Sequence, residues 1–231
     1  MPDYTTATST LGKKILMGLT GVALFTFVAG HLAENLLLLA GPDIYNNWAH
    51  TLTSLGVLLY GVEALLVAAF LVHVVIGISV TLSNRKARPV SYAVTGASRG
   101  NPSHMNVYSR TMIWSGLVLL VFVIIHVKTL KFGPDVTEGY VAVVNGQEVR
   151  DLYRLVVEVF SYGPNVVWYV GVMLFLGFHL RHGFWSALQS LGVSHPRYTP
   201  LIYLAGGIAA LALAIGFVFL PVWIFFSGGV S

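Results

Sequence analysis

The sequence predicts an all-α polytopic membrane protein: one domain, residues 1–231, with five transmembrane helices, the first four forming a bundle. Three observations predict it. Of 231 residues, 56% are hydrophobic and 10% charged, and mean hydropathy is +0.77; a soluble domain of this size has no use for so much apolar surface. Five apolar runs, at about 15–40, 55–82, 112–130, 166–188 and 201–226, each approach or exceed the roughly 20 residues that cross a bilayer core. Basic residues gather in alternate connections, as the positive-inside rule requires of a multi-pass chain. The net charge of +4 is loop lysine and arginine, so no nucleic-acid partner is expected.

The elements follow in order. Residues 1–14 are polar and end in Lys13-Lys14. The run at 15–40 is too long for a signal-peptide core and is expected to stay as the first span. Gly41-Pro42-Asp43 breaks it. Residues 43–54, with Asn46, Asn47, Trp48 and His50, read as a short polar loop. The second span is long enough to tilt or to project from the membrane. The connection 83–107 is rich in Arg, Lys, Ser, Gly and Pro, with Arg85, Lys86, Arg88 and Arg99. After the third span comes the longest connection, 131–163, which opens with Gly133-Pro134 and mixes charge signs from Asp135 to Glu158. Its residues 149–160 place Leu152, Leu155, Val156 and Val159 at helical spacing, as expected of an interfacial helix. Spans four and five complete the chain. The basic N-terminus and 83–110 loop are expected in the cytoplasm and the C-terminus outside; Arg181 and Arg197 then fall on the inner side as well.

No cysteine is present, which excludes disulfides, zinc–thiolate sites and iron–sulfur clusters held by this chain. The soft-metal ligands are eight histidines and five methionines. His31, His73, His126 and His179 lie one on each of the first four apolar runs. The hydrocarbon core offers an imidazole no water, so a histidine at depth needs a partner. Helix rise sets the depths. His31 lies about 24 Å and His126 about 21 Å from the inner ends of their helices, and both fall in the outer half. His73 lies about 27 Å and His179 about 20 Å from the outer ends of theirs, and both fall in the inner half. The four form two depth-matched pairs, each from alternate helices of a four-helix bundle. A single membrane histidine is ordinarily a hydrogen-bonded packing residue; two matched pairs are better explained as the axial ligands of two haem b groups, His31 with His126 outside and His73 with His179 inside.

Small residues point the same way. His73 and Gly77, and His179 and Gly183, are both spaced i, i+4, which puts each glycine on the ligand's own face with room for a flat macrocycle. Gly30 beside His31 is expected to do the same. His182 shares a face with His179, so periodicity alone does not choose between them; its position nearer the cytoplasm suits a hydrogen bond to a haem propionate. Arg181, Arg85 and Lys86 are candidate partners for inner propionates, Lys128 and Lys131 for outer ones. His50, His104 and His195 lie in connections and read as solvated. Glu63, an ionisable group within the second span, is a candidate for quinone or proton chemistry. Glu34 lies closer to the outer interface and reads as a solvated carboxylate.

The sequence resembles the single-chain, five-helix, two-haem cytochrome b558 subunit of succinate dehydrogenase and fumarate reductase. The likeness runs through nearly the whole chain: Gly12-Lys13-Lys14 with Met17 and Thr20-Gly21, then His31-Leu32-Ala33-Glu34-Asn35-Leu36, Tyr45-Asn46-Asn47-Trp48-Ala49-His50, Ser109-Arg110-Thr111-Met112, and Val144-Asn145-Gly146 leading into Asp151-Leu152-Tyr153. It is strongest at Gly177-Phe178-His179-Leu180-Arg181-His182-Gly183-Phe184-Trp185-Ser186. The resemblance implies two haem b groups on His31, His73, His126 and His179, with His179 rather than His182 as the inner ligand. It also implies a membrane quinone as substrate, usually menaquinone in such bacteria, and a place in the bacterial cytoplasmic membrane. The implied partners are a flavoprotein that oxidises succinate and an iron–sulfur subunit that relays electrons, neither of whose chemistry this cysteine-free chain can hold. Two other classes fit the sequence less well. A di-haem anchor of a hydrogenase or formate dehydrogenase would share the haems and differ in partner. A haem-free transporter would need broken helices and a polar midplane.

Overall fold

The computed structural model describes residues 9–86, 107–193 and 195–228. In chain order these form α1 (Thr10–Asn35, prolonged by a 3-10 turn, Leu36–Ala40), α2 (Pro42–Ser54), α3 (Val57–Lys86), α4 (Val107–His126, continued by a π-helical turn, Val127–Lys131), a short 3-10 turn (Val136–Glu138), β1 (Val141–Val144), β2 (Gln147–Arg150), α5 (Leu152–Ser161), α6 (Gly163–Ser190) and α7 (Thr199–Ser227). Five of them, α1, α3, α4, α6 and α7, are long and apolar enough to cross a membrane. The protein is therefore a largely helical, multi-pass membrane protein.

Local signals start and stop the elements. Ser9 caps α1, its side chain accepting from the Gly12 N–H at 3.0 Å, which satisfies one of the orphan donors of a helix start. Pro42 opens α2 with Asp43 in its first turn, a fixed φ and an acidic group suited to that end. Asp151 caps α5 by accepting from the Arg154 N–H at 2.9 Å.

Three sequence expectations change here. Residues 43–54 are not a loop: they form α2, whose Tyr45 and Asn46 are buried. The Asn46 amide donates to Asp151 Oδ1 at 2.8 Å, and its oxygen accepts from the Tyr153 N–H at 3.0 Å, so this buried polar residue ties α2 to α5, while Asn47 and Trp48 are exposed. Within an otherwise all-α fold, the 131–163 connection also carries an unforeseen hairpin, in which β1 and β2 pair antiparallel with Val144 opposite Gln147. Their turn is Asn145-Gly146, both at positive φ (52° and 78°), the signature of a two-residue hairpin. Since Val149 and Arg150 belong to β2, the expected interfacial helix starts later, at Leu152.

Arg150 uses its place at the end of β2 to close α4. Its guanidinium donates to the carbonyls of Leu130 (2.8 Å), Lys131 (3.1 Å), Gly133 (3.0 Å) and Pro134 (2.8 Å). Leu130 and Lys131 are in the last turn, whose carbonyls a helix end leaves without partners, and Gly133 and Pro134 follow just beyond it. Burial pulls the Arg150 pKa below the usual arginine range.

The spanning helices form a ring. α1 neighbours α3 and α6, and α4 neighbours α6 and α3. In that order α1 lies diagonally across from α4, and α3 from α6. The fifth spanning helix, α7, packs most extensively on α6 and also on α1. Close approach there depends on glycine: a Cβ on Gly177 would lie 2.9 Å from the Ala214 Cβ, and one on Gly216 would lie 2.6 Å from Leu32 Cδ2. Small residues at such contacts let membrane helices approach when no hydrophobic drive brings them together. The best-packed core lies where α2, α5 and α7 meet the ring, around Leu38, Phe122, Tyr153, Phe160, Tyr169 and Ile224.

Candidate functional site

Across the two diagonals of the ring the four membrane histidines meet in the pairs that depth predicts. His31 of α1 and His126 of α4 have ring centroids 5.8 Å apart, and His73 of α3 and His179 of α6 have theirs 6.2 Å apart. An ion held by one nitrogen of each ring at about 2 Å places the centroids about 6 Å apart. The pairing follows from the order of the helices around the ring.

Each imidazole is held by its second nitrogen. Thr20 Oγ1 lies 3.2 Å from His73 Nδ1, Ser115 Oγ 3.1 Å from His179 Nδ1, the Tyr169 hydroxyl 3.1 Å from His126 Nδ1, and Glu34 Oε1 2.6 Å from His31 Nδ1. Thr20 also donates to the Leu16 carbonyl at 2.7 Å, and Ser115 to that of Met112 at 3.1 Å. Their protons are thereby committed, and their lone pairs are left to accept Nδ1–H. A partner on Nδ1 fixes the tautomer and leaves Nε2 as the ligand atom. Tyr169 is itself fixed between Phe122 (5.0 Å) and Phe160 (4.8 Å), edge to face with each. Asn35 Nδ2 stands 3.4 Å from both ring nitrogens of His31 and makes its good bond, 2.7 Å, to the His31 carbonyl.

The backbone adds a feature at this depth. His126 ends the α-helical part of α4, and the π-helical turn Val127–Lys131 follows at once. Such turns are rare and concentrate at functional sites. Beside His31 a cavity of about 560 Å³ is lined by Phe27, Gly30, His31, Ala33, Glu34, Leu37 and Trp48.

The glycines divide. A Cβ on Gly30 or Gly183 would meet nothing within 4 Å, whereas one on Gly77 would lie 3.5 Å from Met17 Cε. Two glycines not assigned to a ligand face from the sequence lie closer to the imidazoles: Gly21, whose Cβ would be 3.7 Å from His73 Cε1, and Gly116, whose Cβ would be 3.6 Å from His179 Cε1.

The other predicted positions are placed as follows. His182 lies one turn from His179 on α6, outside the ring pair. Arg181 and Lys128 are exposed, as are Arg85 and Lys86 at the end of α3. Glu63 pairs with Lys131, joining the second turn of α3 to the π-helical turn that ends α4. Glu34 is not a freely solvated carboxylate: it faces His31, and it adds to burial, the larger cause, in raising the pKa of Tyr45. His50 is half-buried on α2, and His195 accepts from the Arg197 N–H at 3.2 Å. His104, Arg88 and Arg99 lie outside the described residues.

Chemically, two imidazoles are too few to enclose a bare ion. Among the described residues no group of three or more His, Cys, Asp or Glu side chains could hold one. Paired imidazoles with buttressed Nδ1 atoms suit an ion whose remaining positions are filled by a macrocycle. No protein-family model, curated protein or solved structure matches the chain.

Proposed function

We propose that the chain is a di-haem membrane cytochrome b. The observation that carries the reading is the geometry of the two diagonals: in each, two imidazoles stand about one bis-ligated iron's width apart, and every Nδ1 has a hydrogen-bond partner. Haem b, bound between His31 and His126 and between His73 and His179, supplies one-electron chemistry there. The chain's own residues do the rest. Thr20, Ser115, Tyr169 and Glu34 hold each ligand in the tautomer that presents Nε2. Gly30 and Gly183 leave room beside the ligands, and the apolar helices keep water away.

Within that class we take the chain for the membrane anchor of a succinate:quinone oxidoreductase, a succinate dehydrogenase or fumarate reductase. Its partners are then a flavoprotein and an iron–sulfur subunit on the cytoplasmic face, and its substrate is menaquinone or another membrane quinone. The residues quoted for that likeness support it, because several of them hold the site: Thr20 and Gly21 stand at His73, and Glu34 and Asn35 at His31. Glu63 is the candidate for quinone or proton exchange, with Lys131 as its counter-ion. E63Q should slow quinone turnover with both haems retained; unchanged turnover would leave the residue a structural role only. The basic 83–110 loop is placed in the cytoplasm, so labelling of Thr95→Cys by an impermeant reagent from outside intact cells would reverse the orientation. The decisive experiment is purification of the tagged chain in mild detergent. Co-purification of a flavoprotein and an iron–sulfur protein with succinate-dependent haem reduction is the expected outcome; a hydrogenase or formate dehydrogenase partner would replace the assignment.

A further inference from the structure

The four imidazoles are not backed alike. Three Nδ1 atoms face neutral hydroxyls, those of Thr20, Ser115 and Tyr169, at 3.1–3.2 Å. The fourth, on His31, faces the Glu34 carboxylate at 2.6 Å. The two residues stand at i, i+3 on one helix, so the contact is built into α1 and survives any sliding between helices. Asn35 holds the same turn by donating to the His31 carbonyl at 2.7 Å.

We propose that Glu34 sets the electronic character of the His31–His126 site: its carboxylate accepts the Nδ1 proton of His31, gives that imidazole imidazolate character and lowers the reduction potential of the iron it ligates. The inference rests on the di-haem reading. A carboxylate is a stronger acceptor than a hydroxyl, and a charge-assisted hydrogen bond is shorter and stronger than a neutral one. Pulling the Nδ1 proton away raises the basicity of Nε2, and a more basic ligand favours ferric over ferrous iron. The negative charge acts in the same direction through space. Both side chains keep about 30% of their surface exposed (29% and 30%), so solvent screens part of the effect. Glu34 is therefore a positioning residue, acting through His31 without touching the iron.

The test is a potentiometric titration of the purified full chain, following both haems by their visible spectra. E34Q keeps the shape of the side chain and removes the charge. It should raise the midpoint of one haem by about tenfold in the reduction equilibrium, about 59 mV for one electron, and leave the other in place. E34D, which restores the charge, should move that midpoint back toward the wild-type value. A second measurement needs no variant. The near-infrared charge-transfer bands of the oxidised, unmodified chain report ligand character, and one haem should show a band displaced toward that of an imidazolate complex. Two haems with coincident near-infrared bands, or an E34Q protein with both midpoints unmoved, would overturn the role of Glu34 alone. A chain that binds no haem would overturn the di-haem reading beneath it.

Discussion

Ser115 of α4 reaches across the helix interface to His179 of α6, its Oγ 3.1 Å from Nδ1, while its proton goes to the Met112 carbonyl of its own helix. Ser115 itself is buried, being 2% exposed. It joins two neighbours in the ring and so fixes the azimuth of one imidazole in the His73–His179 pair. Removing such a partner typically costs 10–100-fold in metal affinity. S115A should therefore lose haem from one of two sites about 10–100-fold more readily, measured as transfer to a competing apoprotein. Equal retention by S115A and wild type would show that the hydroxyl does not hold the ligand.

The choice between His179 and His182 follows from the same face of α6. Only His179 has its ring opposite His73, at 6.2 Å. H179A should abolish one haem spectrum and keep the other. H182A should keep both, with a displaced midpoint at most. Loss of a haem in H182A with retention in H179A would exchange the two assignments.

Arg150 donates four hydrogen bonds to carbonyls at and just beyond the end of α4, four to eight residues past His126. R150A should lower thermal stability by about 2–3 kcal/mol, the scale of lost charged hydrogen bonds. R150K should recover little of it, because an ammonium lacks the planar fork that reaches several carbonyls. Static light-scattering melts of the detergent-solubilised chain would show the order wild type, then R150K near R150A; a wild-type melt for R150A would sink the clamp.

The extramembrane cap carries its own pH dependence. The Tyr140 hydroxyl and then the Arg154 guanidinium hold the Glu158 carboxyl below the usual carboxylate range, and Thr137 does the same for Asp135. Both groups have folded pKa values below their unfolded ones. Their stabilisation is present above the unfolded carboxylate pKa, about 4, and is lost as pH falls through the lowered values. Hydrogen exchange in β1, β2 and the first turns of α5, corrected for intrinsic rates, should be flat from neutral pH to about 5 and rise below about 4. E158Q should flatten that rise; an unchanged profile in E158Q would assign the dependence elsewhere.

Much of this was legible in the sequence, and the residues show where legibility ended. The spans were readable because length and apolarity alone define them. The histidine pairs were readable because 1.5 Å per residue converts position into depth. The partners of those histidines were not. Helices that are apolar all round carry no periodicity from which to read their azimuth, so nothing in the sequence aimed Thr20 at His73 or Tyr169 at His126. Glu34 was the exception in principle, since its i, i+3 spacing from His31 was visible. The α2 helix was missed because its buried face includes Asn46, a polar residue satisfied only by Asp151 and Tyr153 far along the chain. The hairpin had a local signal, Asn145-Gly146, hidden in a connection of mixed charge. The pairing of Glu63 with Lys131 joins residues 68 apart, and no local pattern predicts it.

The central claim is that each diagonal of the ring holds one haem between two imidazoles. A pyridine haemochromogen assay on the purified full-length chain, normalised to protein by amino-acid analysis, measures it most directly. The account predicts two b-type haems per chain, falling to one in H31A or H126A and to one in H73A or H179A. One haem or none in the unmodified chain, or two haems retained in any of those four variants, would contradict it.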